Sequence, residues 1–235
     1  MGLREAIEAT LVWPLPSREV DPDRVALVEG DALDEAPGVD RASVMAGLEG
    51  WLDRVRTWNK KLDLTAARDD AELVELAILD AVQIAGRIAL RGGAVVDVGS
   101  GFGAPGMAVA ILRPDLHVKL VEPLGKRASF LRTVVGALSL VERVEVLEAR
   151  GEDLAAGGLV FDAAISRATL APDQWLYLGD QLAPHGDVVA LLAREAPPEH
   201  RGRVEAFRVE YETRAGARRL AVGYSPIGTG AVGET

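Results

Sequence analysis

The sequence predicts an α/β fold with a mostly parallel, doubly wound sheet. Two observations support this prediction: the alternation of strand-like and helix-like segments, and a chain length sufficient for such a domain. From residue 94 onward, short apolar runs that suit buried strands alternate with longer segments of helical periodicity. Strands that alternate with helices in this way are typical of a parallel sheet with helices on both faces. The 235 residues are enough for one such domain with an appendage.

Each predicted element follows from its own residues. Five buried strands are predicted at AVVDV (94–98), HVKLVEP (117–123), VEVLEAR (144–150), FDAAISR (161–167) and GDVVALLA (186–193). Helices are predicted over 105–113, 126–140 and 171–184; the first begins with a proline, whose missing N–H costs least at that point. Two alternating segments, FRVEYET (207–213) and RRLAVGYS (218–225), predict an antiparallel hairpin at the sheet edge, for seven strands in all.

The N-terminal part of the chain differs in composition. Apolar residues at helical spacing begin at Val44, and a second helix is predicted from about Asp70 to Leu90, capped by Asp69 or Asp70. We expect a partly ordered acidic arm over 1–40 with a short helix over 3–11, then helices packing on the core over 41–92. The sheet domain should span 93–225, with a flexible tail over 226–235.

Composition excludes several classes of site. The chain has no cysteine, and His117, His185 and His200 lie far apart, so we expect no disulfide and no metal centre. No apolar stretch approaches the length of a membrane span, and the acidic residues near the N-terminus are unlike a secretory signal. We therefore expect a cytoplasmic protein that does not bind membranes, with a monomer as the default.

The acidity of the chain is concentrated in its first 50 residues. These hold 4 basic and 11 acidic side chains, a net charge of −7, whereas the remaining 185 hold 22 and 25, a net charge of −3. The overall charge of −10 therefore argues against a nucleic-acid partner mainly for the appendage.

The stretch DVGSGFGAPG (97–106) places glycines directly after the first strand. Gly101, Gly103 and Gly106 match the dinucleotide fingerprint, which alone is a weak signal. Asp97 does not suit a loop that binds pyrophosphate, but it suits a ligand with an amine and a sulfonium. Glu122 ends the next strand, where an acid can accept both ribose hydroxyls. We interpret the loop as an S-adenosylmethionine site of a Rossmann-like methyltransferase; a dinucleotide site and a purely structural turn are the alternatives.

Further motifs narrow the interpretation. RTWNKKLDLTAARDDAELVELAILDAV (56–82), LVEPLGKRASFL (120–131), EARGEDL (148–154) and FDAAISRA (161–168) follow in order around the glycine loop. Together they resemble the RsmG/GidB family of 16S rRNA guanine-N7 methyltransferases, from about residue 44 to about 222. The resemblance implies a class I methyltransferase fold, S-adenosylmethionine as cofactor and 16S rRNA or the small ribosomal subunit as partner.

The resemblance also implies site residues. The cofactor positions are Asp97, Gly99, Gly101, Gly103, Ala104, Glu122, Gly151, Glu152 and Arg167. Arg167, Arg150 and Lys126 are the implied catalytic or RNA-contacting residues. Lys126 begins a helix, where a cation opposes the macrodipole, and Arg150 has the alternative of pairing with Glu148 or Glu152. We expect Trp51, Trp58 and Trp175 to be packing residues.

Three departures from the family pattern leave the acceptor open. Leu76, Ala77 and Ala81 stand where the family usually has the arginine, histidine and serine of RHILDS, and Leu192 stands for the lysine of LKG. The acidic arm is the third departure. The alternatives are a paralogue with another RNA or small-molecule acceptor, and a non-catalytic cofactor-binding protein. An rRNA enzyme should have a basic rim around the cofactor mouth, for which we predict Lys60, Lys61, Lys126, Arg127, Arg150 and Arg194.

Overall fold

A computed structural model describes residues 1–11, 15, 40–88 and 92–227. Within these residues the helices are α1 (Leu3–Thr10), α2 (Arg41–Leu62), α3 (Asp70–Ala85), α4 (Gly106–Leu112), α5 (Gly125–Ala137), α6 (Gly151–Ala156) and α7 (Pro172–Leu182). The strands are β1 (Ala94–Val98), β2 (His117–Val121), β3 (Val144–Leu147), β4 (Ala163–Arg167), β5 (Asp187–Leu192), β6 (Arg203–Glu212) and β7 (Arg218–Pro226).

All seven strands form one sheet in the order β3-β2-β1-β4-β5-β7-β6. The first five are parallel, and the β6–β7 hairpin joins β5 in antiparallel orientation, with Leu192 opposite Leu220. The predicted Rossmann-like sheet and its edge hairpin are confirmed. Because the strand order reverses at β1, a crevice opens between the carboxyl ends of β1 and its neighbours, where open α/β sheets bind ligands.

Each face of the sheet has its own apolar core, since successive side chains of a strand point to opposite faces. Val95 of β1 packs among α1 to α5, and its neighbour Val96 packs against α6 and α7. The loops that follow the parallel strands at their carboxyl ends lie between these two layers and are therefore placed to form the surface of a site.

The turn between α2 and α3 is shaped by the asparagine of the WNKKLDLT motif. Asn59 Oδ1 accepts hydrogen bonds from the amides of Leu64 (2.6 Å) and Thr65 (2.9 Å), and its Nδ2 donates to the Thr65 carbonyl (2.9 Å). Asp69 then caps α3 by accepting from the Glu72 amide at 2.9 Å. These side chains supply the partners that the ends of the two helices lack.

The structure differs from the sequence-based expectations in three places. Helix α1 buries Leu3 and Ile7 in the main core, so residues 3–10 belong to the core and not to an arm. Helix α6 follows β3 directly, in a stretch for which no helix was predicted. Strand β6 begins at Arg203, four residues before the predicted segment 207–213, and the buried Arg203 guanidinium donates to three carbonyls, those of Ala183 and Gly186 before β5 and that of Tyr224 on β7.

Part of the expected organisation lies outside the described residues. This applies to residues 12–14 and 16–39 of the expected arm and to the expected tail from residue 228 onward. Over the ranges that the structure covers, no helix combines the length and apolarity needed to cross a membrane.

Candidate functional site

The candidate site lies at the carboxyl edge of the parallel strands. Asp97 is near the end of β1, Glu122 follows β2 and Arg167 ends β4. Since β2, β1 and β4 are neighbours in the sheet, these three residues from distant parts of the sequence meet at one edge.

Asp97 is a buried carboxylate with one oxygen in use. Its Oδ2 accepts a hydrogen bond from the Gly106 amide at 3.0 Å, whereas Oδ1 meets no donor among the described residues. Burial raises the pKa of Asp97 to about 7, and the nearby Glu122 adds to this, while the Ser100 hydroxyl, the Gly106 amide and the Arg167 charge oppose it. A buried carboxylate with an unpaired oxygen is costly in the free protein. A cationic ligand would remove that cost.

The glycine loop is built mostly against the protein itself. Gly99 has φ +79°, and a Cβ there would lie 2.2 Å from Thr169 Oγ1. Gly106 packs on Asp97, with a Cβ position 2.5 Å from Oδ2. At Gly101, by contrast, a Cβ would meet only the Gly99 carbonyl, at 3.9 Å. Of these three, Gly101 therefore marks the open side of the loop, where a ligand has room.

Glu122 secures the loop from the neighbouring strand. Its Oε2 accepts from the Gly101 amide and its Oε1 from the Leu124 amide, both at 2.9 Å. The carboxylate is 3% exposed. A carboxylate oxygen has room for a second hydrogen bond, so these contacts leave acceptor capacity for ribose hydroxyls.

A tryptophan supports the same loop from behind. Trp51 is fully buried, its indole Nε1 donates to the Phe102 carbonyl at 3.1 Å, and its ring stacks on Phe102 with centroids 6.0 Å apart. Trp175 is also buried, and its Nε1 donates to the Val189 carbonyl at 3.0 Å. The predicted packing role is confirmed for both residues.

The remaining predicted cofactor residues lie in the glycine loop and at the start of α6. Ala104 is buried within the glycine loop. Gly151 begins α6 against β1, and a Cβ there would lie 2.8 Å from Val98 Cγ1. Glu152 is exposed in the first turn of the same helix.

Arg167 is held by helix α3. Its Nη1 donates to the Leu76 carbonyl (2.5 Å) and to Asp80 Oδ2 (2.9 Å). Asp80 Oδ1 in turn accepts the hydroxyl of Tyr211, on β6, at 2.6 Å. The guanidinium is half-buried and lies at the end of β4, between the cleft beside Asp97 and a second cavity.

The second cavity has a volume of about 390 Å³ and adjoins the end of β4. Its wall combines charged groups with apolar surface; among its residues are Asp80, Arg167, Thr169, Trp175, Leu192, Glu195, Tyr211 and Arg219. Thr169 also touches Gly99, so it separates this cavity from the glycine loop. Concave sites with a few polar groups on an apolar wall are typical of small-molecule or base binding.

The structure places the predicted basic residues on several elements. Lys126 and Arg127 lie in the first turn of α5, after β2, and Lys60 and Lys61 lie in the last turn of α2. Arg150 is exposed at the start of α6 and forms no ion pair with the described residues; Glu148 pairs instead with Arg132 at 3.1 Å. A rim formed by these cations stays a prediction.

Arg194, one of the predicted rim cations, could replace the lysine of LKG only if strand β5 continued as far as residue 194, and it does not. Strand β5 ends at Leu192, so the alternation of the strand does not extend to Arg194. Ala193 and Glu195 line the cavity, whereas Arg194 is exposed beside it. The cation that the hairpin contributes to the wall is Arg219 of β7.

The residues on α3 that depart from the family pattern differ in how they relate to the site. Ala77 and Ala81 are buried in the main core, so they are not part of a site mouth. Leu76 takes part through its backbone carbonyl, which holds Arg167. Leu192 is 6% exposed and forms an apolar part of the cavity wall. Only one of the substituted side chains therefore changes the chemistry of the cavity directly.

Sequence reasoning missed Tyr211, Arg219 and Thr169. The first two were recognised only as residues of an edge hairpin, and nothing local in a strand indicates which helix its side chains will meet. No cluster of histidine and acidic residues able to hold a metal occurs in the described part of the chain.

Comparison with known proteins identifies the family. The chain is 37% identical over 158 residues to a ribosomal RNA small subunit methyltransferase G of Anaeromyxobacter dehalogenans, covering 67% of this chain and 73% of the relative. It is 38% identical over 159 residues to the protein of the same name from Halorhodospira halophila, covering 67% and 70%.

A solved structure supports the fold. A candidate RNA methyltransferase from Pyrococcus horikoshii matches with a TM-score of 0.51 at 15% identity, over 77% of this chain and 98% of that protein. At this identity the likeness concerns the fold alone. The sequence model of GidB, described as rRNA small subunit methyltransferase G, matches residues 45–217, and the chain belongs to this family of methyltransferases.

Proposed function

We propose that this chain uses S-adenosylmethionine to methylate N7 of a guanine in 16S rRNA of the small ribosomal subunit. The observation that carries the proposal is the arrangement at the carboxyl edge. The buried Asp97 carboxyl, with one oxygen that meets no donor among the described residues, and the open side of the glycine loop at Gly101 lie next to Arg167 and Thr169, which line a cavity. Family membership and the names of the two relatives support the reaction type and the RNA acceptor.

The residues of the cleft fit S-adenosylmethionine. This ligand carries an ammonium and a sulfonium, and Asp97 has a buried oxygen without a donor among the described residues. It also carries ribose hydroxyls, for which Glu122 has acceptor capacity, and Gly101 leaves open space beside that carboxylate. Gly99, Gly103, Ala104, Gly151 and Glu152 complete the proposed cofactor site.

When bound, S-adenosylmethionine supplies a methyl group on a cationic sulfur, and its transfer to N7 leaves a neutral thioether and a positively charged base. Guanine N7 has an exposed lone pair and no proton, so the chain needs no general base. Its residues instead hold the reactants in line and exclude water, which is the main source of rate in such a displacement.

Arg167 is the proposed catalytic residue of the acceptor cavity. One of its nitrogens is tied to α3, and its Nε and Nη2 meet no acceptor among the described residues. Those groups can donate to guanine O6, which lies next to N7 on the base edge. Arg150 and Lys126, exposed after β3 and β2, are the proposed contacts to the RNA backbone.

Leu192 favours a second candidate, a paralogue with a different acceptor. It replaces a cation of the family pattern by an apolar wall, and a lost phosphate contact would weaken RNA affinity and its salt dependence. We further propose that the protein is cytoplasmic, because ribosomal subunits are assembled in that compartment, and that it acts as a monomer.

The test offers tritiated S-adenosylmethionine with naked 16S rRNA, with small ribosomal subunits that lack the modification, and with small-molecule extracts. Label that maps to N7 of one guanine in the RNA or the subunit supports the proposal. Label found only in small molecules supports the paralogue. Binding of the cofactor without transfer to any of the three would show a non-catalytic protein and refute the proposal.

A further inference from the structure

The edge hairpin is joined to helix α3 beside the candidate site by a tyrosine hydroxyl. Tyr211 lies on β6, opposite Arg219 of β7, and donates its O–H to Asp80 Oδ1 at 2.6 Å. These residues are 131 positions apart in the sequence. The hydrogen bond therefore ties the outermost strand of the sheet to helix α3.

The Tyr211 hydroxyl acts as a hydrogen-bond donor and stays protonated. Burial raises the pKa of Tyr211 far above its usual value, and the adjacent Asp80 carboxylate raises it further, although Arg219 and Arg167 oppose this. The phenol therefore keeps its proton at neutral pH. A half-buried tyrosine hydroxyl needs a partner, and the Asp80 carboxylate is the one that it has.

Asp80 divides its two oxygens between Tyr211 and Arg167. Oδ1 accepts the hydrogen bond of the phenol and Oδ2 accepts that of the guanidinium, at 2.9 Å. Asp80 is a buried residue, with 8% of its surface exposed. Without the phenol, Oδ1 would be a buried oxygen with no donor among the described residues. The carboxylate would then be free to turn about its side-chain bond and to carry the guanidinium with it.

A fixed Asp80 matters because arginine is otherwise a mobile side chain. Its rotamer entropy is among the largest of the side chains, and a group that must be ordered during the reaction lowers the rate. Arg167 has two fixed acceptors on α3, the Leu76 carbonyl and Asp80. The second is a side chain, and its other oxygen accepts the Tyr211 hydroxyl.

We propose that Tyr211 is a positioning residue of the acceptor site, whose hydroxyl orients Asp80 so that Asp80 fixes the Arg167 guanidinium against the cavity. The inference rests on the proposed function for its catalytic consequence, but the fixing of Arg167 is a property of the protein alone.

Tyr211→Phe removes the hydroxyl and keeps the ring. Tyr224→Phe is the matched control, because the Tyr224 hydroxyl also makes one hydrogen bond, to the Pro198 carbonyl at 3.0 Å. Tyr224 pairs with Val188 near the opposite end of β5 from the cavity. Both variants lose one tyrosine hydrogen bond, and only the first loses contact with Asp80.

Two measurements test the proposal on the full chain. With small ribosomal subunits, Tyr211→Phe should lower kcat by about 10- to 100-fold and change the KM for S-adenosylmethionine by less than about threefold, whereas Tyr224→Phe should leave kcat within about twofold. Without any acceptor, NMR of arginine-labelled protein, assigned with Arg167→Lys, should show a restricted Arg167 guanidinium in the wild type and in Tyr224→Phe. In Tyr211→Phe the Arg167 guanidinium should rotate more freely, so that its separate N–H signals merge into an averaged signal.

The kinetic and the NMR measurements distinguish a failure of the proposed function from a failure of the proposed role of Tyr211. If the wild type transfers no methyl group to any acceptor, the proposed function fails, and the guanidinium signals alone decide the role of Tyr211. Unchanged Arg167 signals in Tyr211→Phe overturn the proposal. So does an unchanged kcat in an active protein, or an equal loss in both variants, which would indicate a structural role only.

Discussion

Asp97→Asn should stabilise the free protein while it weakens binding of the cofactor. The pKa of this fully buried carboxyl is about 7, against a usual value of 3.8, because burial penalises its charge. Between about pH 4 and pH 7 the native state therefore keeps a proton that the unfolded chain has lost. Stability falls as the pH rises through that window and is level above it.

The size of the effect follows from the shift. About three pKa units at about 1.4 kcal/mol each give a penalty of about 4 kcal/mol at pH 8. The asparagine variant is neutral and can still accept from the Gly106 amide, but its NH2 replaces the unpartnered Oδ1 and costs about 1–3 kcal/mol. We expect a net gain of about 1–3 kcal/mol at pH 8, or roughly 2–10 °C in Tm.

Urea unfolding of the free protein at pH 8 and pH 5 measures this gain. It should be about 2–3 kcal/mol smaller at pH 5, where the native carboxyl is already protonated. Asp173→Asn, an exposed carboxylate in the first turn of α7, controls for the loss of one charge. Calorimetry at pH 8 should show affinity for S-adenosylmethionine reduced by about tenfold or more, the loss of about one charge-assisted contact. A variant less stable than the wild type at pH 8, or a gain independent of pH, would refute the reasoning.

Three further predictions concern the support of the site. Gly99→Ala should lower the free energy of unfolding more than Gly158→Ala does. Both glycines have a positive φ, which costs an alanine about 1–2 kcal/mol, but only at Gly99 would the new Cβ also clash with Thr169. Equal losses in urea titration would contradict this. Trp51→Phe should lower the free energy of unfolding by about 1–3 kcal/mol, since the buried Phe102 carbonyl loses its donor. It should also weaken cofactor binding measured by calorimetry, and an unchanged affinity would argue against support of the loop by Trp51. Arg203→Met should lower stability by about 3–5 kcal/mol, because the carbonyls of Ala183, Gly186 and Tyr224 lose their donor, and it should leave the KM for the cofactor unchanged in the folded fraction; a raised KM would count against a purely structural role.

The elements close to the site could be predicted because their signals are local. The apolar run before Asp97, the glycines after it and the acid that ends β2 are each legible within a few residues, and parallel strands bring their carboxyl ends to one edge. The side chains that support those elements were less accessible. Helix α1 buries Leu3 and Ile7, yet its composition indicated an acidic appendage, since burial depends on the partner surface and not on the segment.

The sequence by itself determined the alternation of strands and helices along the chain, apart from α6, together with the position of the glycine loop and the family, because these depend on periodicity, turn chemistry and motif spacing. The tertiary structure decided what surrounds the acceptor cavity. It buried Ala77 and Ala81, left Arg194 beside the cavity wall and brought Tyr211 to Asp80. The physical reason is that such contacts join residues far apart in sequence, and the order and register of the sheet, not any local pattern, set the distances between them.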